Sequence, residues 1–277
     1  MARTPEQRLR LPRARKRFGQ HFLHDGAIVA RIVQAIAPQP GDALVEIGPG
    51  PGALTAPLLG TGCGLDAIEI DRDLAAALRV RFAARPDFRL HECDALEFDW
   101  RGLAAQRGRR LRLVGNLPYN ISTPLLFRLL EQADAILDMH FMLQKEVVDR
   151  IVAAPGSANY GRLTAMLAPR VRAERVFEVG PGAFTPPPRV HSAVVRLQVE
   201  TSPPAWALMP AYGAVVGAAF GQRRKTLRNA LGKLLTAEQI RACGVDPGER
   251  AERLSPQQFG SLAAAFGAML GAHEQRL

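Results

Sequence analysis

The chain has 277 residues, 47% of them apolar and 22% charged, and its 36 Lys and Arg against 26 Asp and Glu give a formal net charge of +10. This mixture excludes a disordered or fibrous chain and predicts one main folded domain with a smaller appendage, since domains cluster near roughly 100–200 residues. The cation excess points to a polyanionic partner, nucleic acid before any other. Cys63, Cys93 and Cys243 stand in no metal-ligand or disulfide spacing, so no metal site is expected and a reducing compartment fits. No apolar run reaches the roughly 18 residues of a membrane span, and the basic N-terminus lacks the apolar stretch of a signal peptide. A cytoplasmic protein without membrane contact is expected.

Residues 1–17 carry Arg3, Arg8, Arg10, Arg13, Arg15, Lys16 and Arg17 against Glu6 alone, and read as a flexible basic arm. Asp25 can cap a helix whose apolar face is Ile28, Ile32, Val33 and Ile36, ending before Pro38. Ala43–Ile47 predicts a strand, Ala53–Leu59 a helix, Leu65–Ile70 a strand, Asp73–Ala84 a helix and Phe88–Glu92 a third strand. Leu111–Gly115 predicts the next strand, Pro124 at a first helical position opens a helix through Leu130, and Met139–Leu143 and Lys145–Ala153 follow as strand and helix. Ser192–Val199 alternates as a strand, and from about Trp206 the chain turns helical. Short apolar strands alternating with helices predict an α/β doubly wound, Rossmann-like sheet over 18–200, with a small all-helical C-terminal domain over 201–277.

Val45-Glu46-Ile47-Gly48-Pro49-Gly50-Pro51-Gly52 follows a strand and opens a helix, where such folds place nucleotide-like ligands. Glu69 comes 21 residues after Gly48 at the end of the next strand, and an acid there can accept both hydroxyls of a ribose. Asp94, after the third strand, can accept from an adenine amine or cap the turn at Ala95. Asn116-Leu117-Pro118-Tyr119 is the most informative segment. An adenine amine is a poor nucleophile because its lone pair is delocalised into the ring. Two acceptors, the Asn116 side-chain carbonyl and a backbone carbonyl at Leu117 or Pro118, would favour the pyramidal form, and Tyr119 offers a face for a flipped base. A nicotinamide-dependent oxidoreductase would share the glycine turn and Glu69 but would leave Asn116–Tyr119 and the basic surface without a purpose.

Six ordered stretches, Lys16–Leu23, Val45–Thr55, Asn116–Thr123, Phe141–Arg150, Ala183–Pro188 and Gly221–Leu231, closely resemble the KsgA family of ribosomal RNA adenine dimethyltransferases. That resemblance implies a class I methyltransferase fold with S-adenosylmethionine as methyl donor. The implied substrate is 16S rRNA in the assembling 30S subunit, where two adjacent adenines near the 3′ end are each methylated twice on N6. By it, His21, Leu23, Gly48, Glu69, Asp94 and Asn116 contact the donor, and Phe184 faces Tyr119 across the target base. Transfer is then direct and in line, driven by positioning and electrostatics without a nucleophilic residue.

The arm residues Arg15, Lys16 and Arg17 and the cluster Arg223, Arg224, Lys225 and Arg228 are expected to meet RNA phosphates, as is the run from Arg107 to Arg112. A monomer is expected. A DNA adenine methyltransferase would use a similar Asn-Pro-Tyr arrangement, and an assembly factor with secondary methylation would keep the same motifs.

Overall fold

The computed structural model describes residues 20–119, 121–222 and 224–274, which form two compact units. Arg15, Lys16, Arg17 and Arg223, with the rest of the expected 1–17 arm, lie outside the described residues. The first unit holds the described residues through Lys145 together with Val176–Arg196.

In chain order it begins with β1 (Phe22–Leu23), α1 (Gly26–Ile36), β2 (Ala43–Ile47), α2 (Thr55–Leu59), β3 (Leu65–Glu69) and α3 (Arg72–Arg81). Then come β4 (Phe88–Glu92), α4 (Trp100–Arg107), β5 (Leu111–Asn116), α5 (Ser122–Glu131), β6 (Ile136–Gln144) and α6 (Lys145–Ile151). The remaining elements are α7 (Arg162–Leu167), β7 (Val171–Val179), β8 (Phe184–Thr185), β9 (Ser192–Val199), α8 (Ala205–Leu208), α9 (Pro210–Gly221), α10 (Leu227–Ala230), α11 (Ala237–Ala242) and α12 (Pro256–Glu274).

Seven strands make one sheet in the order β4-β3-β2-β5-β6-β9-β7, and the first five run parallel. All five residues of β2 and of β3 are buried, as expected of parallel strands covered on both faces. The edge strand β4 is half-buried along its length. Helix α1 starts where Asp25 Oδ1 accepts from the Ala27 and Ile28 N–H groups at 2.8 and 3.1 Å, and ends at Ala37 in the left-handed region. Its inner face places Val29, Ile32 and Ile36 against Leu44, Leu58 and Leu65, each worth roughly 1.5–3 kcal/mol of burial.

The strand order changes direction around β2, because the chain winds from β2 out to β3 and β4 and then returns to β5 on the other side. Such a switch point opens a crevice at the carboxyl ends of the strands. Asn116 ends β5, Glu69 ends β3, and Gly48 follows β2, so three of the candidate residues stand at this crevice. Pro124 is the third residue of α5, not the first, because Ser122 already begins the helix. Either position lies in the first turn, where a missing N–H costs little.

The second unit consists of Glu146–Arg175 with the described residues from Leu197 onward. Its core gathers Tyr160, Tyr212, Val215, Val216, Phe259 and Leu262. Tyr160 Oη donates to Leu254 O at 2.9 Å and Tyr212 Oη to Ala165 O at 2.7 Å, which ties residues ahead of 200 to the C-terminal helices. Among the described residues no helix is long and apolar enough to cross a membrane.

Candidate active site

The turn after β2 needs its glycines for defined reasons. Gly48, Gly50 and Gly52 all have positive φ, and a Cβ on Gly50 would come within 3.2 Å of the Phe22 ring. The backbone here walls a pocket that reaches from Gln20–Leu23 across Gly48–Pro51, Ala53 and Leu54 to Glu69, Asp94 and Asn116–Tyr119.

Glu69 is 4% exposed and held rigidly, its Oε2 accepting from Gly50 N–H at 3.2 Å and its Oε1 from Asp71 N–H at 2.9 Å. Each oxygen keeps a second lone pair for a ligand hydroxyl. Burial raises its carboxyl above the usual range, partly offset by those two backbone donors. Glu46, 2% exposed on β2, accepts from Thr55 Oγ1 at 2.6 Å. Burial, with the nearby Glu69 charge adding to it, pushes its carboxyl up to about 7. Asp94 Oδ1 accepts from Leu96 N–H at 2.9 Å, so it caps its turn and lines the pocket at once.

Asn116 turns on a close strand approach: a Cβ at Gly115 would lie 2.5 Å from Ile47 O, so only glycine lets β5 run this near the end of β2. Asn116 Nδ2 donates to His21 O at 2.8 Å. A backbone carbonyl can only accept, so the amide nitrogen is the atom fixed there and Oδ1 is left for a ligand. Pro118 O accepts from Ile121 N–H at 3.2 Å, closing the turn that carries Tyr119. Tyr119 Oη shares a hydrogen bond with Ser192 Oγ at 3.0 Å, and the ring lies 5.6 Å from the His21 ring at 31°. Burial keeps the phenol above its usual pKa, so it stays neutral.

The model of the ribosomal RNA adenine dimethylase family matches residues 12–266 of this sequence. The chain belongs to that family. Ribosomal RNA small subunit methyltransferase A of Methylococcus capsulatus is 56% identical over 249 residues, covering 90% of this chain and 96% of that one. The protein of the same name from Pseudomonas aeruginosa is 55% identical over 252 residues, covering 91% and 94%. A crystal structure of the 23S rRNA methyltransferase ErmE superposes with a TM-score of 0.67 at 26% identity, over 89% of this chain and 99% of that one. A dimethyladenosine transferase from Plasmodium falciparum shares the fold with a TM-score of 0.73 at 24% identity, over 90% and 98%. This chain is thus an S-adenosylmethionine-dependent rRNA adenine methyltransferase of Rossmann-like fold.

The pocket of this adenine dimethylase brings together His21, Leu23, Gly48, Glu69, Asp94, Asn116, Leu117, Pro118 and Tyr119. It does not bring Phe184 there. Phe184 pairs with Leu23 across β8 and β1, and its ring is 3% exposed in the core of the first unit, because in this two-residue strand Thr185 takes the outward position. Arg224, Lys225 and Arg228 are exposed on the second unit. In the run from Arg107 to Arg112, three side chains are spent on structure: Arg107 clasps Asp66 through two hydrogen bonds, Arg109 donates to Gly41 O, and Arg112 is buried.

Sequence reasoning missed Phe22, Glu46, Ile70 and Cys93 in the pocket wall. Glu46 carried a signal, an acid in an otherwise apolar buried strand; Phe22 carried only its place beside His21. Among the described residues no group of three or more His, Cys, Asp or Glu could hold a metal.

An acidic, buried pocket wall suits a cationic donor, and Glu46 gives a pH test of that fit. Its raised folded-state pKa means that its stabilising contribution is fully present below about 4.5 and is lost as pH rises through about 7. Wild-type stability should therefore fall relative to Glu46→Gln between about pH 5 and 8. A cationic donor favours the ionised carboxylate, so donor affinity should rise through about pH 7 and flatten in the variant. Calorimetry across that range checks both; parallel curves for the two proteins would contradict it.

Proposed function

We propose that this enzyme is the 16S rRNA (adenine-N6,N6)-dimethyltransferase of the small ribosomal subunit, methylating two adjacent adenines near the 3′ end late in 30S assembly. The observation that carries the reading is Asn116, whose Nδ2 is fixed on His21 O so that its Oδ1 is free to accept. That oxygen and a backbone carbonyl at Leu117 or Pro118 accept both hydrogens of the target amine and aim its lone pair outward. Tyr119 stacks the flipped base, fixed in azimuth by Ser192.

S-adenosylmethionine supplies an electrophilic methyl group when bound. Glu69 takes the ribose hydroxyls, Asp94 the adenine amine, and the backbone around Gly48 the rest of the donor, with His21, Leu23 and Asn116 closing the pocket. No general base is required, because a methylated amine is transiently cationic and sheds its proton to water. The protein works in the cytoplasm as a monomer on assembling subunits.

Arg15, Lys16, Arg17, Arg223, Arg224, Lys225 and Arg228 supply phosphate contacts. Their cost is salt sensitivity: the affinity for small subunits should fall steeply with ionic strength, with a log–log slope that shrinks by about one for each contact removed. Filter binding of Arg228→Ala and Lys225→Ala over a salt series measures it, and an unchanged slope would remove those residues from the interface.

The substrate assignment is tested by mass spectrometry of 3′-terminal 16S fragments after reaction. Two neighbouring N6,N6-dimethyladenosines are expected. Methylation elsewhere in the RNA would overturn the assignment while leaving the chemistry intact.

A further inference from the structure

We propose that His21 is a positioning residue for methyl transfer, holding both the acceptor amide and the stacking ring against the proline-rich loop. The proposal rests on the reading of Asn116 and Tyr119 given above. Three contacts converge on this one residue. Its main-chain carbonyl accepts the Asn116 Nδ2 hydrogen bond at 2.8 Å. Its ring Nδ1 lies 2.8 Å from Pro186 O. The carbonyl cannot donate, so Nδ1 carries the proton, and the bond holds in both the neutral and the charged ring. Its ring packs beside that of Tyr119, with centroids 5.6 Å apart and planes tilted by 31°.

The loop that bears Pro186 is itself registered to the strand beside His21. Phe22 pairs with Thr185, Leu23 with Phe184, and His24 N–H donates to Ala183 O at 3.0 Å. Phe184, buried beneath this pairing, anchors it from below. The imidazole is therefore fixed at one edge by a hydrogen bond and packs beside Tyr119. Tyr119 is fixed at its own far end by Ser192. With its hydroxyl tied to Ser192 and its ring packed beside the imidazole, the tyrosine is restrained at both ends as it meets a base. A donor contact alone would need neither the Pro186 bond nor the ring packing.

The discriminating experiment compares His21→Ala, His21→Phe and His21→Asn with wild type. Donor affinity is read by calorimetry, and the single-turnover rate on small subunits lacking the modification is read at saturating donor. The backbone carbonyl survives in all three variants. The alanine variant should lose about tenfold to a hundredfold in rate at saturating donor, over and above any loss of donor affinity, the scale set by misplacing a reacting group by an ångström or less. Phenylalanine keeps the ring and asparagine keeps a donor for Pro186 O, so each should recover part of that loss.

Weakened donor binding with an unchanged saturated rate would make His21 a donor contact only and overturn the proposal. So would equal losses in all three variants, or no loss in any. Absence of transfer by wild type would instead remove the reading of Asn116, and this proposal with it.

Discussion

Replacing Asn116 by alanine should lower the rate at saturating donor and RNA by about a hundredfold or more, the effect of deleting one preorganised polar partner at a reacting centre. The effect belongs in the chemical step. On the proposed reading Asn116 Oδ1, left open by the Nδ2 bond to His21 O, meets the amine only when the base is in place, whereas Glu69, held by Gly50 N–H, meets the donor. Rate and rate over KM for the RNA should therefore fall together, and the loss should persist at saturating donor, the pattern of an interaction made in the transition state. Single-turnover measurement with labelled donor separates these quantities. A variant that retained more than about a third of the rate would show that the amide does not activate the nucleophile.

A second large effect is expected at the other end of the same strand. Arg112 is 8% exposed, with Nε and Nη2 donating to Asp138 at 2.9 and 2.8 Å and Nη1 to Asp42 at 2.6 Å. Nη2 also donates to Ile36 O at 2.7 Å, so the guanidinium receives the orphan carbonyls at the end of α1. Burial opposes its charge, but the hydrogen bonds to Asp138 and Asp42 outweigh it and raise its pKa. Arg112→Met removes the cation and strands Asp138, itself 4% exposed, in the core. Breaking a buried pair in this way costs about 3–5 kcal/mol. Urea unfolding should show that loss as a lower midpoint at constant slope. Adding Asp138→Leu should restore much of it, since an apolar pair leaves no uncompensated charge. A loss below about 1 kcal/mol would mean that the network behaves like a surface ion pair. Because Arg112 and Asn116 stand at opposite ends of β5, the folded fraction of Arg112→Met should still bind donor.

How much of this was legible in the sequence follows from the range over which each element is determined. Strands β2, β3, β4 and β9 declared themselves because a strand buried on both faces is a short apolar run and a half-buried one alternates. Helix α4 escaped notice, since Trp100–Arg107 spans barely two turns with Gly102 inside it and owes its start to Asp99 accepting from Gly102 N–H. Strand β7 was missed because Val171–Val179 mixes charge and aliphatic residues on an exposed edge, a pattern that fits neither period.

The site divides in the same way. The glycine turn, Glu69 and Asn116–Tyr119 are local motifs and could be read residue by residue. The pairing of β1 with β8 joins residues more than 160 apart in sequence, and no local pattern encodes it. It is this pairing that buries Phe184 and brings Pro186 to His21. The family resemblance sets Phe184 across the target base from Tyr119; in the structure Phe184 is buried in the core of the first unit, and the ring that packs beside Tyr119 is that of His21.

Label transfer from S-adenosylmethionine to small ribosomal subunits lacking adenine dimethylation, with naked ribosomal RNA and duplex DNA run alongside, tests the catalytic activity most directly. Label recovered as N6,N6-dimethyladenosine on the subunits, with duplex DNA inert, is the predicted result. Donor binding without incorporation on any of the three substrates would contradict the catalytic claim and leave a protein that binds assembling subunits without modifying them.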